Sequence, residues 1–586
     1  MGIFKKLSWY FKQEKITYFR GLLGLLLTAV IGIIPARLIG NLIDLIHNKQ
    51  LTSSRLVFLL ALLLGATIFQ YVARYIWRTA IWGGAAKLER VLRTRLFSHF
   101  MNMDRPFYNR HRTGDLMAHA TNDLSAIQRV AGGGILQFAD SIITGGTTLI
   151  AMMMFVDWRL TLIAIIPFPL LAVMARYLGM KIHIAFGDSQ AAFSKLNNKA
   201  QESISGIKVI KSLGQESEDV TDFNQQIDKT IEINRRVNRL DAMFDPVTTL
   251  IISISYVITI VYGGILVTNG TITIGNLVSF IAYLSRMIWP IFAVGMLFNT
   301  LERGNASYDR VMSLLGEKTA ILDAKDGIST PPSGELKFDI DKFSYPDNRE
   351  EPVLKNVHLD IKAGKTLGIV GKVGASKSTI MELILRQFDQ YEGSISYGGH
   401  NIKDYQLDAY LPVIGYVPQN SFMFSESIRN NIRFALPEAT DEQVEAAIVK
   451  SGLKNQVDKF PNGLDTNVGE EGISMSGGQR QRLAIARALI IDPELLILDD
   501  ALSAVDAETE SEILQHLHEE RSGKTTIIAA HRLSSVMDAD EIVVMENGQI
   551  IERGNHAQLM KKRGWYHEMF ERQELQTKVE GGSTNG

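Results

Sequence analysis

No cysteine occurs in the 586 residues, which excludes a disulfide framework and thiolate metal sites. Net charge is nearly absent as well. The 61 Lys+Arg and 63 Asp+Glu leave −2, so no global field draws the chain to nucleic acid. No cleavable leader is evident: MGIFKKLSWYFKQEK is basic and amphipathic, but no small-residue cleavage site follows it. It reads as a helix lying on a membrane surface. Long apolar runs are missing after residue 301, which confines any membrane domain to the first half. Proline is sparse, 15 in all, so the pair Pro331-Pro332 marks a break.

What is present divides the chain. Six runs of membrane-spanning length lie near 17–43, 56–76, 135–156, 160–179, 246–268 and 274–298. Only Asp157-Trp158-Arg159 separates the third from the fourth, which predicts a tight hairpin. The segments joining the second to the third and the fourth to the fifth are long and basic. They carry Arg78, Lys87, Arg90, Arg93 and Arg95 in one case, and Lys195, Lys199, Lys208 and Lys211 in the other. The positive-inside rule places both, with both termini, in the cytoplasm. Their helix-forming composition predicts that the spanning helices continue beyond the bilayer. A membrane domain over 1–315 is followed by a linker at 316–335 and an α/β domain over 336–573, where short β-rich runs alternate with amphipathic helices. The tail 574–586, ending EGGSTNG, is expected to be disordered.

The α/β domain holds the chemistry. GKVGASKST, 371–379, approaches the phosphate-binding pattern G-x-x-x-x-G-K-[ST]. Gly371, Lys372, Val373, Gly374, Ala375, Ser376, Lys377, Ser378 and Thr379 lie between a strand pattern, KTLGIV, and a helical one, STIMELILRQF. In that context backbone N–H groups and the helix N-terminus meet phosphates, Lys377 reaches the terminal ones, and Ser378 can hold Mg²⁺. Ser376 stands where the pattern requires its second glycine. ELLILDD, 494–500, delivers Asp499 to a strand end, where a carboxylate can hold Mg²⁺ through water. SMSGGQRQR, 474–482, sets Ser476, Gly477, Gly478 and Gln479 at a helix start, where N–H groups and a hydroxyl can meet a γ-phosphate. Gln419 follows another strand, His531 ends the strand KTTIIAA, and Tyr345 lies in FSYPD.

Taken in order, Tyr345, GKVGASKST, Gln419, MSGGQ, ILDD, SAVD and His531 resemble the nucleotide-binding domain of ABC transporters. The six preceding spans resemble the membrane domain of ABC exporter half-transporters, the type IV exporter fold, so the likeness covers nearly the whole chain. It implies that Tyr345 stacks on adenine, that Gln419 contacts Mg²⁺ and senses the membrane domain, and that Ser476–Gln479 closes on a partner's ATP. TNVGEEG, 466–472, resembles the exporter loop that couples to the membrane helices. PFYNRHRTGDLMAHATND and QESISGIKVIKSLGQE resemble the segments that flank coupling helices, where Phe107, Tyr108 and Ile207 want a groove to fill.

Two departures bear on catalysis. The family's catalytic glutamate is replaced by Asp500, whose shorter stem withdraws the carboxylate by about 1.5 Å. A misplacement of about 1 Å can cost about 10²-fold in rate, so Asp500 is expected to be a poor base. At Ser376, a Cβ in a left-handed backbone costs roughly 1–2 kcal/mol. The signature is nearly intact, with Met475 in place of the usual leucine. Together these features resemble the degenerate-site subunits of heterodimeric bacterial multidrug exporters, of the LmrC and BmrC type. That resemblance implies a second half-transporter supplying a catalytic glutamate, and amphipathic drugs or lipids as cargo. A nucleotide-gated channel or membrane sensor, binding ATP without pumping, is the competing class. Within the sixth span Arg286 is either a substrate or gating residue or half of a structural pair, with Asp140 as the candidate partner. Tyr256, Tyr262, Tyr283 and Trp289 offer ring faces to amphipathic ligands.

Overall fold

The computed structural model describes residues 2–324, 326–348, 350–469 and 475–582. Six helices are long and apolar enough to cross a membrane: Lys15–His47, Ser53–Met101, Thr113–Phe155, Trp158–Ser205, Glu216–Thr268 and Ile274–Gly316. Each contains one of the expected runs. The second has 49 residues and the fifth 53. At 1.5 Å per residue these approach ~70–80 Å, more than twice a ~30 Å hydrocarbon core. Spanning helices therefore do run on past the bilayer. The hairpin between the third and fourth turns on Asp157, whose carboxylate accepts from the N–H groups of Arg159 and Leu160 and so caps the fourth helix.

Two features of these helices have no counterpart in the hydrophobic pattern. The third contains two π-helical turns, His119–Asp123 and Val130–Gly134. The first presents Asp123 to Arg310, Ser307 and His119, which all hydrogen-bond its carboxylate. The first span is also interrupted: its helix stops at Ile31 and restarts at Ile34, with Pro35 in the new first turn.

Among the described residues ten strands build the second half: β1 (Leu336–Phe343), β2 (Leu354–Ile361), β3 (Thr366–Gly371), β4 (Glu392–Tyr397), β5 (His400–Asn401), β6 (Ile414–Val417), β7 (Leu495–Asp499), β8 (Thr525–Ala529), β9 (Glu541–Glu546) and β10 (Gln549–Gly554). An antiparallel sheet runs β2-β1-β4-β5, and a larger one runs β10-β9-β3-β8-β7-β6. In the larger sheet β9, β3, β8, β7 and β6 are parallel. Both β7 and β8 are buried throughout, as two-sided burial of a parallel sheet demands. Their carboxyl ends lie along one edge, where ligands of open α/β sheets bind.

Residues Met1–Met101 with Thr113–Glu317 form one compact unit, and Asn102–Arg112 with Lys318–Gly586 form the other. The division after Glu317 falls within the expected linker, and an internal piece of the expected membrane domain groups with the second half. Asp104 explains it. Its carboxylate caps the short helix Arg105–Arg110 at Phe107 N–H and also accepts from Thr319 Oγ1 and Ala320 N–H in the linker. The tail is likewise more ordered than expected, because the helix Trp565–Gly582 runs through most of it.

Candidate functional site

β3 ends at Gly371, and the helix Lys377–Ile384 begins six residues later. The loop between them must curl tightly, which the backbone records as φ of 84° at Gly374 and 70° at Ser376. Ser376 thus occupies the left-handed region that its predicted glycine would enter without cost. Lys377 is buried and folds back over the loop, its Nζ donating to Gly371 O at 2.9 Å and Lys372 O at 3.3 Å. Burial pushes its ammonium below the usual lysine range, against the pull of Asp500 and Asp499. A desolvated cation curled inside a ring of backbone is suited to an anion that enters the ring. Val373 projects outward, 89% exposed, and Lys372 pairs with Glu546 at 2.8 Å, so neither side chain turns into the loop.

Two strands away, β7 brings Asp499 to the same edge. Ser378 Oγ donates to Asp499 Oδ1 at 3.0 Å across the end of β8. Burial raises the Asp499 carboxyl above its ordinary range, which the Ser378 hydrogen bond opposes. Gln419, beyond β6, donates to Asp500 Oδ2 at 3.3 Å. Ser378 and Asp499 thus place a hydroxyl and a carboxylate together, with the Gln419 carboxamide on the neighbouring Asp500, and such sparse oxygen groups suit Mg²⁺ when phosphates complete its shell. Among the described residues no trio of His, Asp and Glu gathers to hold a metal without such help. Asp500 itself has φ of 49° and hangs its N–H on Ala529 O. The sequence placed His531 at a strand end; it lies two residues past the end of β8, and Gln573 holds its carbonyl.

Tyr345 follows β1 and is half-buried. Its hydroxyl meets Thr379 Oγ1 at 2.8 Å and donates to Glu382 Oε2 at 2.9 Å. Burial is the main reason its hydroxyl is pushed up to about 12. Ser476–Gln479 stand apart from these groups: no hydrogen bond or ion pair joins them to 371–379 among the described residues. Ser476 caps the helix Gly477–Leu489 in a capping box with Gln479, so its hydroxyl sits at a helix N-terminus with the N–H groups of the first turn. Of the loop at 466–472, residues 470–472 lie outside the described residues, as does Ser474.

The chain is similar to known proteins. The family profile for the ABC transporter transmembrane region matches residues 18–291, and that for the ABC transporter matches 354–503. The probable multidrug resistance ABC transporter ATP-binding/permease protein YheI of Bacillus subtilis (strain 168) is 42% identical over 99% of both chains. The chain belongs to the ABC transporter family. The multidrug resistance-like ATP-binding protein MdlA of Escherichia coli (strain K12) is 38% identical over 100% of this chain and 99% of its own. A solved bacterial Atm1-family ABC exporter with ATP bound superposes with a TM-score of 0.73 at 24% identity, covering 96% of this chain and 98% of that one. The fold is that of a type IV exporter half, a multi-pass membrane domain followed by an ATP-binding domain.

Arg286 resolves differently from the expected pair with Asp140. Its Nη1 donates to Gly32 O at 2.7 Å and its Nη2 to Ala29 O at 3.1 Å, while Asp140 accepts from Thr144. Tyr283, one turn away, donates to Ile33 O at 3.2 Å. The two side chains thus serve the carbonyls exposed where the first span breaks. A Cβ at Gly32 would stand 2.0 Å from Arg286 Nη1, so the guanidinium would have to move to admit one. Both Arg286→Ala and Gly32→Ala are expected to lower the unfolding temperature, at about 1–3 kcal/mol for each carbonyl left bare. Thermal unfolding in detergent measures it; a stable Arg286→Ala with altered drug-stimulated ATPase would instead favour substrate contact. Of the remaining aromatics Trp289 is 60% exposed and Tyr256 meets Ser285 Oγ.

Proposed function

We propose that the chain is one half of a heterodimeric exporter in a bacterial plasma membrane, with both termini and the nucleotide-binding half in the cytoplasm. It moves amphipathic drugs or lipids outward. Its similarity to YheI, a probable multidrug resistance transporter, and to MdlA, a multidrug resistance-like protein, supports that cargo class. ATP supplies the phosphates that the loop 371–379 would cradle and the adenine for Tyr345, with Mg²⁺ held by Ser378, Gln419 and Asp499. Asp500 stands in the base position, and Ser476–Gln479 faces the partner's nucleotide.

The observation that carries this reading is the imbalance between the two half-sites of one chain. Ser376 sits at φ of 70°, where a Cβ is strained, and Asp500 carries the short base. The signature serine, by contrast, is set in a complete capping box. A chain built in this way is a poor hydrolyst at its own loop and a sound contributor to another. Vesicle transport with a partner bearing a glutamate base tests it. Accumulation of drug against a gradient is expected, whereas passive conductance on ATP binding would favour a nucleotide-gated channel. Rapid hydrolysis by the purified chain alone would defeat the asymmetric scheme.

Ser376→Gly is expected to tighten ATP at this chain's own loop by up to about tenfold, since relief of ~1.4 kcal/mol of strain is a factor of ten. Titration with labelled ATP measures it. An unchanged affinity would show that the loop tolerates serine.

A further inference from the structure

The short helix Arg105–Arg110 belongs with the nucleotide-binding half although the chain joins it at both ends to spanning helices. Its first residue makes the connection of interest. Arg105 Nη1 pairs with Glu382 Oε1 at 2.7 Å and also bonds Gln387. The other oxygen of Glu382 accepts from the Tyr345 hydroxyl at 2.9 Å, and that hydroxyl also meets Thr379 at 2.8 Å. Glu382 is 6% exposed and Thr379 4%, both on the helix that opens with Lys377. Phe343 and Phe388 pack edge-on to the Tyr345 ring, at 5.2 and 5.3 Å between centroids. The ring is thus held by two phenylalanine edges and, through its hydroxyl, by Thr379 and one buried carboxylate.

We propose that Arg105 and Glu382 are positioning residues for the nucleotide base: through the Tyr345 hydroxyl they set the ring on which adenine stacks, so that the first loop controls the grip on the base separately from the grip on the phosphates. This rests on the reading of Tyr345 as the base platform. Arg105 is the cation that makes a buried Glu382 carboxylate tolerable, because a buried charge needs a partner. A displacement of the loop that withdraws the guanidinium removes the fixed acceptor from Tyr345. The ring is then free to leave the stacking position while Lys377 and the loop amides remain in place.

The experiment uses the full chain in lipid nanodiscs, with a fluorescent ATP displaced by unlabelled ATP or by inorganic tripolyphosphate, which has the phosphates without the base. Arg105→Ala and Tyr345→Phe are each expected to weaken ATP about five- to tenfold, within the range of one net hydrogen bond, and to leave tripolyphosphate unchanged. Arg105→Ala removes a half-exposed side chain, and Arg105→Lys should restore part of the loss. In the double variant the loss should not exceed that of the larger single one, since both cut the same chain of contacts. Equal weakening of both ligands, multiplying losses, or an unaffected ATP affinity in Arg105→Ala would overturn the proposal. Tyr345→Ala separates its failure from that of the platform reading. If that variant leaves the ratio of ATP to tripolyphosphate affinity unchanged, adenine does not stack there at all.

Discussion

Ser476→Ala should cut ATP turnover of the heterodimer by about 10²-fold or more, the usual consequence of removing one donor from a charge-stabilising site, and Gly477→Ala should do likewise by setting a methyl group between the amides and the γ-phosphate. In the proposed pairing, the Ser476 hydroxyl and the N–H groups beside it face the γ-phosphate held by the partner's loop. Gly477 makes the sharper probe. A Cβ there would lie 3.4 Å from Ala504 Cβ, an ordinary contact, so the chain's own fold accepts alanine. Gly478 offers no such separation, because its Cβ would stand 2.8 Å from Ala504 O. Asp500→Asn, in contrast, should lower turnover only modestly, because the short base contributes little to begin with. Steady-state ATPase of the paired complex gives the ranking. A larger loss from Asp500→Asn than from Gly477→Ala would sink the asymmetric scheme.

Lys377→Ala should weaken nucleotide binding at this chain's own loop on the order of 10²-fold, about 2.7 kcal/mol, as expected for deleting one member of a desolvated charge contact. In the structure the Lys377 ammonium rests on Gly371 O and Lys372 O, and it is the buried cation nearest the cradle's open backbone. Turnover of the heterodimer should fall only in part, since the partner's loop carries the hydrolysis. Occupancy measured by photolabelling with an azido-ATP, chain by chain, distinguishes the two sites. Undiminished labelling of the Lys377→Ala chain would remove the loop from the phosphate site.

The strand-loop-helix frame of the nucleotide site was readable in the sequence because its signals are local. Short apolar runs such as 495–498 in β7 and 527–529 in β8 suit strands and are too short to be helices, and the motif residues sit at or near their ends. The six spans were readable for the same reason. What escaped was set by contacts between residues far apart. Nothing near Arg105 announces Glu382, 277 positions on, yet that contact and the tie of Asp104 to 319–320 move Asn102–Arg112 into the other unit. Arg286 was recognised as costly in its span, but its partners are carbonyls, and a carbonyl leaves no mark in a sequence. Asp140 acts on the Arg286 charge through space while its carboxylate takes the Thr144 hydroxyl. The helix STIMELILRQF proved shorter than its composition implies. Arg386 turns to φ of 53° and spends its guanidinium on Asp389 and on the carbonyls of Leu322, Ile402 and Tyr405, which ends the helix at Ile384.

Gln481 sits two residues beyond the signature and is 7% exposed. Its carboxamide reaches Ser503 Oγ at 3.1 Å and Asp500 O at 3.4 Å, and accepts from Ala504 N at 2.9 Å. In the head-to-tail pairing proposed here, the signature addresses one nucleotide and Asp500 the other. A single amide thus acts as a rigid crossbar between two addresses, and neither end shifts without carrying the other along. In that pairing a change at the hydrolytic nucleotide would reach the one held at this chain's own loop through a single side chain.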